Sequence, residues 1–280
     1  MSEHLLFAER QIPRMGFGTL YITQQRGFGQ PRENATKILK EAADLGIKFF
    51  DTADSYGNGS AEEAIHDALY PYDGLLIATK GGYRHQSLGT WLPDARPSHL
   101  RIALEGSLKR LKLETIDLYQ LHCVDSNVPY SDSIGTLVDM KNEGKIGYIG
   151  ISNVSLTHLK MAEVETEIIS VQNALNIQHG GSSEVLDYCT ENKIPFIPWM
   201  PLGDGGIPWS EPILCKLAKK YSVTPAQIAL ATLFHISPMI LPIPGTSSSK
   251  HLRENFAAAS IKLETTDLNS LCQRYRIKVM

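Results

Sequence analysis

The chain has 280 residues, 42% hydrophobic and 20% charged, enough apolar material for a large core and far from the composition of a disordered tail. Its 27 Lys+Arg against 30 Asp+Glu give a formal charge of −3 with no basic block, which argues against a phosphate-backbone footprint on nucleic acid. No run of about 18 apolar residues offers a membrane span, the N-terminal MSEHLLFAERQ lacks a secretory basic region, and Cys123, Cys189, Cys215 and Cys272 stand singly; a cytoplasmic protein with no membrane partner and no metal is expected.

Residues 3–14 hold a turn-containing stretch, predicted as a hairpin that caps the bottom of the fold. Eight short β-branched or aromatic runs come next: MGFGT from Met15, IKFFDT from Ile47, LLIATK from Leu75, IDLYQLH from Ile116, IGYIGIS from Ile146, ISVQN from Ile169, PFIPW from Pro195 and MILPIPG from Met239. Most are continuous rather than alternating, as parallel strands buried on both faces require, and their starts lie 23 to 44 residues apart, too far for hairpins. Between them run helical stripes such as Ala35, Ile38, Leu39, Ala42 and Leu45, or Leu100, Leu104, Leu108 and Leu111. Ser98 after Pro97 is predicted to open one helix, while Gly46 and Gly144 close others. The crossover 203–238 is long enough for two helices, the second opening at Thr224-Pro225. Eight β-then-α units predict an α/β fold, a closed (β/α)8 TIM barrel with an N-terminal hairpin cap and extra helices, as one domain over 1–280; the competing arrangement is an open doubly wound sheet.

In such a barrel the functional side chains come from the C-terminal ends of strands and the loops after them. Asp51 ends the second run, Tyr56 comes shortly after in DTADSYGNGS, Lys80 ends the third and His122 the fourth. Taken singly, each has a plain structural explanation: a helix cap, loop packing, a solvated strand end, a hydrogen-bonded core imidazole. Together they form an acid–base set. A phenol, whose pKa is ordinarily about 10, protonates an alkoxide at neutral pH only if a nearby cation lowers that value, and a buried ammonium needs a carboxylate beside it. His122 can then orient a carbonyl oxygen.

Near the other end, ILPIPGTSSSKHLRENFAAAS runs from a strand through small hydroxyl residues into an amphipathic helix, which suits either an anion site or an ordinary Ser-rich cap. GFGTLY from Gly16 lacks the third glycine of a dinucleotide fingerprint, and no GK[ST] or HExxH is present.

These residues resemble the aldo-keto reductase superfamily over nearly the whole chain: FFDTADSYGNGSAEEAIHDAL, IATKGG, IDLYQLH, KIGYIGISN, VQNALN and IPGTSSSKHLRENFAAA match its motifs in order. The resemblance implies a catalytic set of Asp51, Tyr56, Lys80 and His122 and a nicotinamide cofactor across the barrel mouth. By the same carry-over, Ser152, Asn153 and Gln172 would hold the carboxamide and Trp199 would stack on the ring. Met200, Leu202 and Gly203 would track the pyrophosphate, while Gly18, Thr19 and Leu20 line the mouth beside Asp51. The adenosine end would meet Gly245, Thr246, Ser248, His251, Arg253, Glu254 and Asn255. Some branches carry Lys and Arg where this chain has Gly245 and His251; with Arg253 or Lys250 in their place, NADPH is expected ahead of NADH. Details of the chain are most similar to bacterial members that include pyridoxal reductases, and Tyr21, Tyr83 and Trp91 are candidates for the substrate mouth, Tyr83 to Trp91 being equally readable as loop packing.

The implied activity is reduction of an aldehyde or ketone, pyridoxal-like or another small carbonyl substrate, with Tyr56 as proton donor. Two alternatives use the same fold: a regulatory subunit that senses the nucleotide, and a Schiff-base aldolase using Lys80. The sequence leaves the oligomeric state open.

Overall fold

The computed structural model describes residues 4–22, 31–87, 90–179 and 183–277, so the predicted hairpin's residue 3 lies outside the described residues. The hairpin itself is β1 (His4–Phe7) against β2 (Arg10–Pro13), turning at Ala8 and Glu9. Leu5, Phe7 and Ile12 face inward and pack with Phe49, Leu76, Leu118, Ile197 and Leu241, drawn from five separate segments of the chain. The hairpin therefore plugs one end of the sheet structure.

Next come β3 (Phe17–Gly18), α1 (Arg32–Asp44), β4 (Phe49–Asp51), α2 (Ser60–Leu69) and β5 (Leu76–Gly81). α1 buries the predicted stripe Ala35, Ile38, Leu39 and Ala42, and Gly46, with φ +102, releases the chain from it. A second antiparallel pair, β6 (Tyr83–Ser87) with β7 (Thr90–Pro93), stands in a segment where the sequence reading names no strand. α3 (Pro97–Leu111) begins at Pro97, one residue ahead of the predicted opening at Ser98. Pro97 has no N–H to satisfy and a φ suited to a first helical turn, and it keeps Arg96 before it extended.

The remaining elements are β8 (Ile116–Leu121), α4 (Tyr130–Asn142), β9 (Ile146–Ser152), α5 (Leu156–Glu165), β10 (Ser170–Gln172), α6 (Ser183–Glu191), α7 (Pro212–Tyr221), α8 (Pro225–Ile236), α9 (Ser249–Ala257) and α10 (Thr265–Tyr275). The crossover 203–238 carries two helices as predicted. Thr224 caps the second through a reciprocal pair of bonds with Gln227, and Pro225 takes its first position.

Six strands form one curled parallel sheet in the order β3-β4-β5-β8-β9-β10. The two predicted strands beyond β10 are not continuous ladders; they meet their neighbours by isolated parallel bridges, Val171 to Phe196, Ala174 to Trp199 and Phe196 to Ile240. Prolines explain this. Pro195, Pro198, Pro242 and Pro244 have no N–H to give, so the pairing is carried by the residues between them. Ile197 N donates to Val171 O at 2.8 Å, Leu241 N to Phe196 O at 2.9 Å, and Gly16 N, just ahead of β3, to Pro242 O at 2.9 Å. Gly18 and Gly245 make the close approach at that seam possible: a Cβ on Gly245 would lie 2.5 Å from Gly18 O.

Candidate active site

β4, β5 and β8 lie side by side, and their C-terminal ends bring Asp51, Lys80 and His122 to one rim. Tyr56 opens a tight 3₁₀ turn, Tyr56–Gly59, directly before α2, which fixes the phenol over that rim. Lys80 is fully buried, and its ammonium has three acceptors for three protons: Asp51 Oδ2 at 2.7 Å, Thr52 O at 2.7 Å and Tyr56 Oη at 3.4 Å. Burial alone would depress the ammonium, but the charge of Asp51, together with Tyr56, outweighs it and holds Lys80 above its ordinary value. Lys80 is therefore a cation throughout the neutral range.

Asp51 is itself saturated. Its Oδ1 accepts from Gln172 Nε2 at 2.8 Å and Gln120 Nε2 at 3.1 Å. Gln120 carries no motif that singles it out in the sequence, although β8 holds the signal: it stands two residues before His122, which directly follows the strand, and alternate residues share a face. His122 is buried, and burial, reinforced by the Lys80 charge, pushes its imidazole well below the ordinary value; it is neutral at pH 7. Its Nδ1 meets no hydrogen-bond partner among the described residues.

The rim opens into a cavity of about 460 Å³. Tyr56, His122, Gly18, Thr19, Leu20 and Asp51 lie in its wall, with Ser152, Asn153, Gln172, Trp199, Met200 and Gly245 across from the second hairpin. Tyr21, Tyr83 and Trp91 also reach it, so the three candidate substrate residues come together with the acid–base set. Tyr83 meets His122 edge-on, centroids 4.7 Å apart, and Trp91 lies 6.1 Å from Tyr56. Pro201, Asp204 and Ile243 join the wall without a sequence signal that singled them out. Asn153 ties the wall together: its Nδ2 donates to His122 O at 3.0 Å, and its Oδ1 accepts from Trp199 Nε1 at 3.1 Å, which fixes the indole.

A second hollow of about 450 Å³ shares Tyr21, Met200, Pro201, Asp204 and Gly245 with the first. Together they make a trough that runs past Leu202 to Thr246 and Ser247, ahead of α9, with the Tyr21 hydroxyl donating to Asp204 across it. Gly203 supports this stretch from behind, its N–H donating to Met200 O at 2.9 Å. Ser248, His251, Arg253, Glu254 and Asn255 are outside both walls. Ser248 caps α9 by accepting from His251 N at 3.4 Å, Arg253 is ion-paired with Glu41 of α1, Glu254 is 3.8 Å from Lys250, and Asn255 is buried.

Beneath the rim is a second polar layer. Glu62 is buried and accepts from Thr79 Oγ1 at 2.6 Å and Arg110 Nε at 2.5 Å. Asp54 beside it is pushed up to about 8, by burial first and by the charge of Glu62 second, with Arg110 and Lys80 offsetting only part of the rise.

The chain is similar to known proteins in sequence and fold. Residues 14–275 match the Aldo/keto reductase family. The chain is 37% identical over 279 residues to a pyridoxine 4-dehydrogenase of Escherichia coli, covering 96% of this chain and 97% of that protein. It is 30% identical to an aldo-keto reductase of Schizosaccharomyces pombe whose name specifies NADP(+), covering 93% of this chain and 87% of the relative. Among solved structures, a thermostable aldo-keto reductase in complex with the inhibitor epalrestat superposes with a TM-score of 0.85 at 28% identity, covering 96% of this chain and 98% of the other. The chain belongs to the aldo/keto reductase family and is an oxidoreductase.

Proposed function

We propose that this chain reduces small aldehydes or ketones to alcohols with NADPH, Tyr56 giving the proton to the carbonyl oxygen. The observation that carries this reading is the Lys80–Tyr56 contact: a buried ammonium, held charged by Asp51, donates to the phenolic oxygen at 3.4 Å and so favours the phenolate left after proton transfer. Neutral His122 stands edge-on to Tyr56 in the same wall, and with its proton on Nε2 it can donate to the same carbonyl oxygen. Asp51, Gln120 and Gln172 hold Lys80 in place and do not touch the substrate.

The trough fits a dinucleotide. Trp199 offers an indole face fixed by Asn153, and Ser152, Asn153 and Gln172 lie in the same wall, where they would hold a carboxamide. Met200, Leu202 and Gly245 line the middle, and Thr246 and Ser247 offer hydroxyls and backbone N–H groups ahead of α9, a setting suited to phosphate. When bound, the nicotinamide supplies the hydride. NADPH is favoured over NADH by the relative named for NADP(+).

The same reading takes the six-stranded sheet, the bridges at Phe196 and Ile240 and the Gly16–Pro242 bond as a closed (β/α)8 barrel, one domain over 1–280. No helix of the described residues is long and apolar enough to cross a membrane, and all four cysteines are free, which supports a cytoplasmic enzyme. A Schiff-base role for Lys80 has no support, since its three N–H donors are engaged and its charge is stabilised. A nucleotide-sensing subunit is not favoured either, because nothing in the acid–base set is missing.

The test is absorbance of NADPH at 340 nm with purified protein and a panel of simple aldehydes, pyridoxal included, repeated with NADH. Consumption that depends on the aldehyde and is faster with NADPH is the expected result. Tight NADPH binding with no turnover of any aldehyde would overturn the reading in favour of a sensing role.

A further inference from the structure

Resting on the reductase reading, we infer that the cavity selects uncharged aromatic aldehydes and rejects those bearing a carboxylate or phosphate, with Trp91 and Tyr83 of the second hairpin as the residues that impose the choice. The walls on the hairpin side are rings. Tyr83 stands edge-on to His122, its centroid 6.4 Å from that of Trp91, and Trp91 packs with Leu20 against Tyr56. A flat ring laid against the cavity side of these rings gains both apolar burial and offset stacking, which an aliphatic aldehyde of similar reactivity does not.

Charge decides the second half of the inference. Among the described residues no Arg or Lys lies in the cavity wall. The cation behind it, Lys80, has every N–H committed to Asp51, Thr52 and Tyr56. Strand alternation sends Arg84 to the other side of the hairpin from Tyr83, where Asp94 lies 3.6 Å from it and also binds Arg96 at 2.7 Å. Besides the phenols of Tyr21, Tyr56 and Tyr83, the ionisable groups on the described wall are Asp51, already neutralised by Lys80, neutral His122 and the carboxylate of Asp204. A substrate anion at the far end of the ring would lose water and meet no cation of the described wall, so its transition state is penalised by unpaired-charge burial. An uncharged amide of the same shape escapes the penalty.

The pair 4-formylbenzamide and 4-carboxybenzaldehyde isolates this effect, because the two differ in charge and hardly in size. At pH 7 and saturating NADPH, kcat/KM is expected to favour the amide by about 100-fold or more. Trp91→Ala should lower kcat/KM for the amide about 10-fold further than for propanal, which spans too little of the wall to stack. Trp91→Arg should shrink the amide-to-acid ratio by supplying the missing cation. Equal kcat/KM for the amide and the acid, or a Trp91→Ala loss of the same size for propanal and the amide, would overturn the inference while leaving the reductase reading intact. Absence of turnover with all three aldehydes would overturn both.

Discussion

The ammonium of Lys80 lies 3.4 Å from the phenolic oxygen of Tyr56, inside the protein and out of reach of water. It persists there because Asp51, 2.7 Å away, cancels a charge that burial would otherwise remove. Asp51→Asn should therefore leave an uncompensated buried cation, costing about 3–5 kcal/mol of stability, and should cut turnover by at least about 100-fold as the cation is lost. Adding Lys80→Met to Asp51→Asn should recover part of the stability and none of the turnover. Urea denaturation of the two variants, beside kcat on one aldehyde, separates these outcomes.

His122 is a base whose native pKa sits well below its ordinary value because it is buried beside Lys80. An unfolded chain takes up a proton near pH 6.5 that the native imidazole refuses, so the native state loses stability as pH falls below about 6.5. The loss approaches about 1.4 kcal/mol per pH unit at its steepest. His122→Asn, which cannot titrate, should flatten the fall in unfolding free energy between pH 7 and 5 by an amount of that order. An unchanged slope would mean the imidazole is reached by solvent protons.

Asp54 gives the opposite slope. Its carboxyl is pushed up to about 8 by burial and by Glu62, so the native state keeps a proton that the unfolded chain has released above about pH 4. Its contribution is fully present below the ordinary carboxylate value and is lost as pH rises through about 8. Asp54→Asn should consequently raise Tm more at pH 8 than at pH 5, relative to the parent chain. A shift of the same size at both values would contradict the protonated native carboxyl.

Two glycines make a paired packing test. A Cβ at Gly245 would press on Gly18 O at 2.5 Å, backbone that cannot yield easily, so Gly245→Ala should cost about 1–3 kcal/mol and weaken NADPH binding at the same seam. Gly135, inside α4, has nothing within 4 Å of the added carbon, and Gly135→Ala should gain about 0.5–1 kcal/mol. Thermal unfolding and nucleotide fluorescence read both.

Much of the site is legible in the sequence. Asp51, Lys80 and His122 stand out because each ends a buried apolar run with a titratable group, and such an ending has meaning only at the mouth of a parallel sheet. The hairpin β6–β7 is not legible: YRHQS has no alternation of apolar and polar residues, so its pairing depends on contacts that periodicity does not record. The segments around Phe196 and Ile240 read as full strands because apolar runs do not reveal which N–H groups proline has removed. Arg253 shows a further limit: the charge is apparent in the sequence, but its commitment to Glu41, distant along the chain, is not. Asp204 reaches the cavity from the short 3₁₀ turn Gly203–Gly205, where no repeating period points a side chain.

The most direct measurement is Tyr56→Phe, which deletes one oxygen and keeps the ring that packs against Trp91. NADPH binding, measured by fluorescence, should stay within a few-fold of the parent while kcat for aldehyde reduction falls by about 100- to 10,000-fold. Turnover equal to that of the parent chain would contradict Tyr56 as the proton donor.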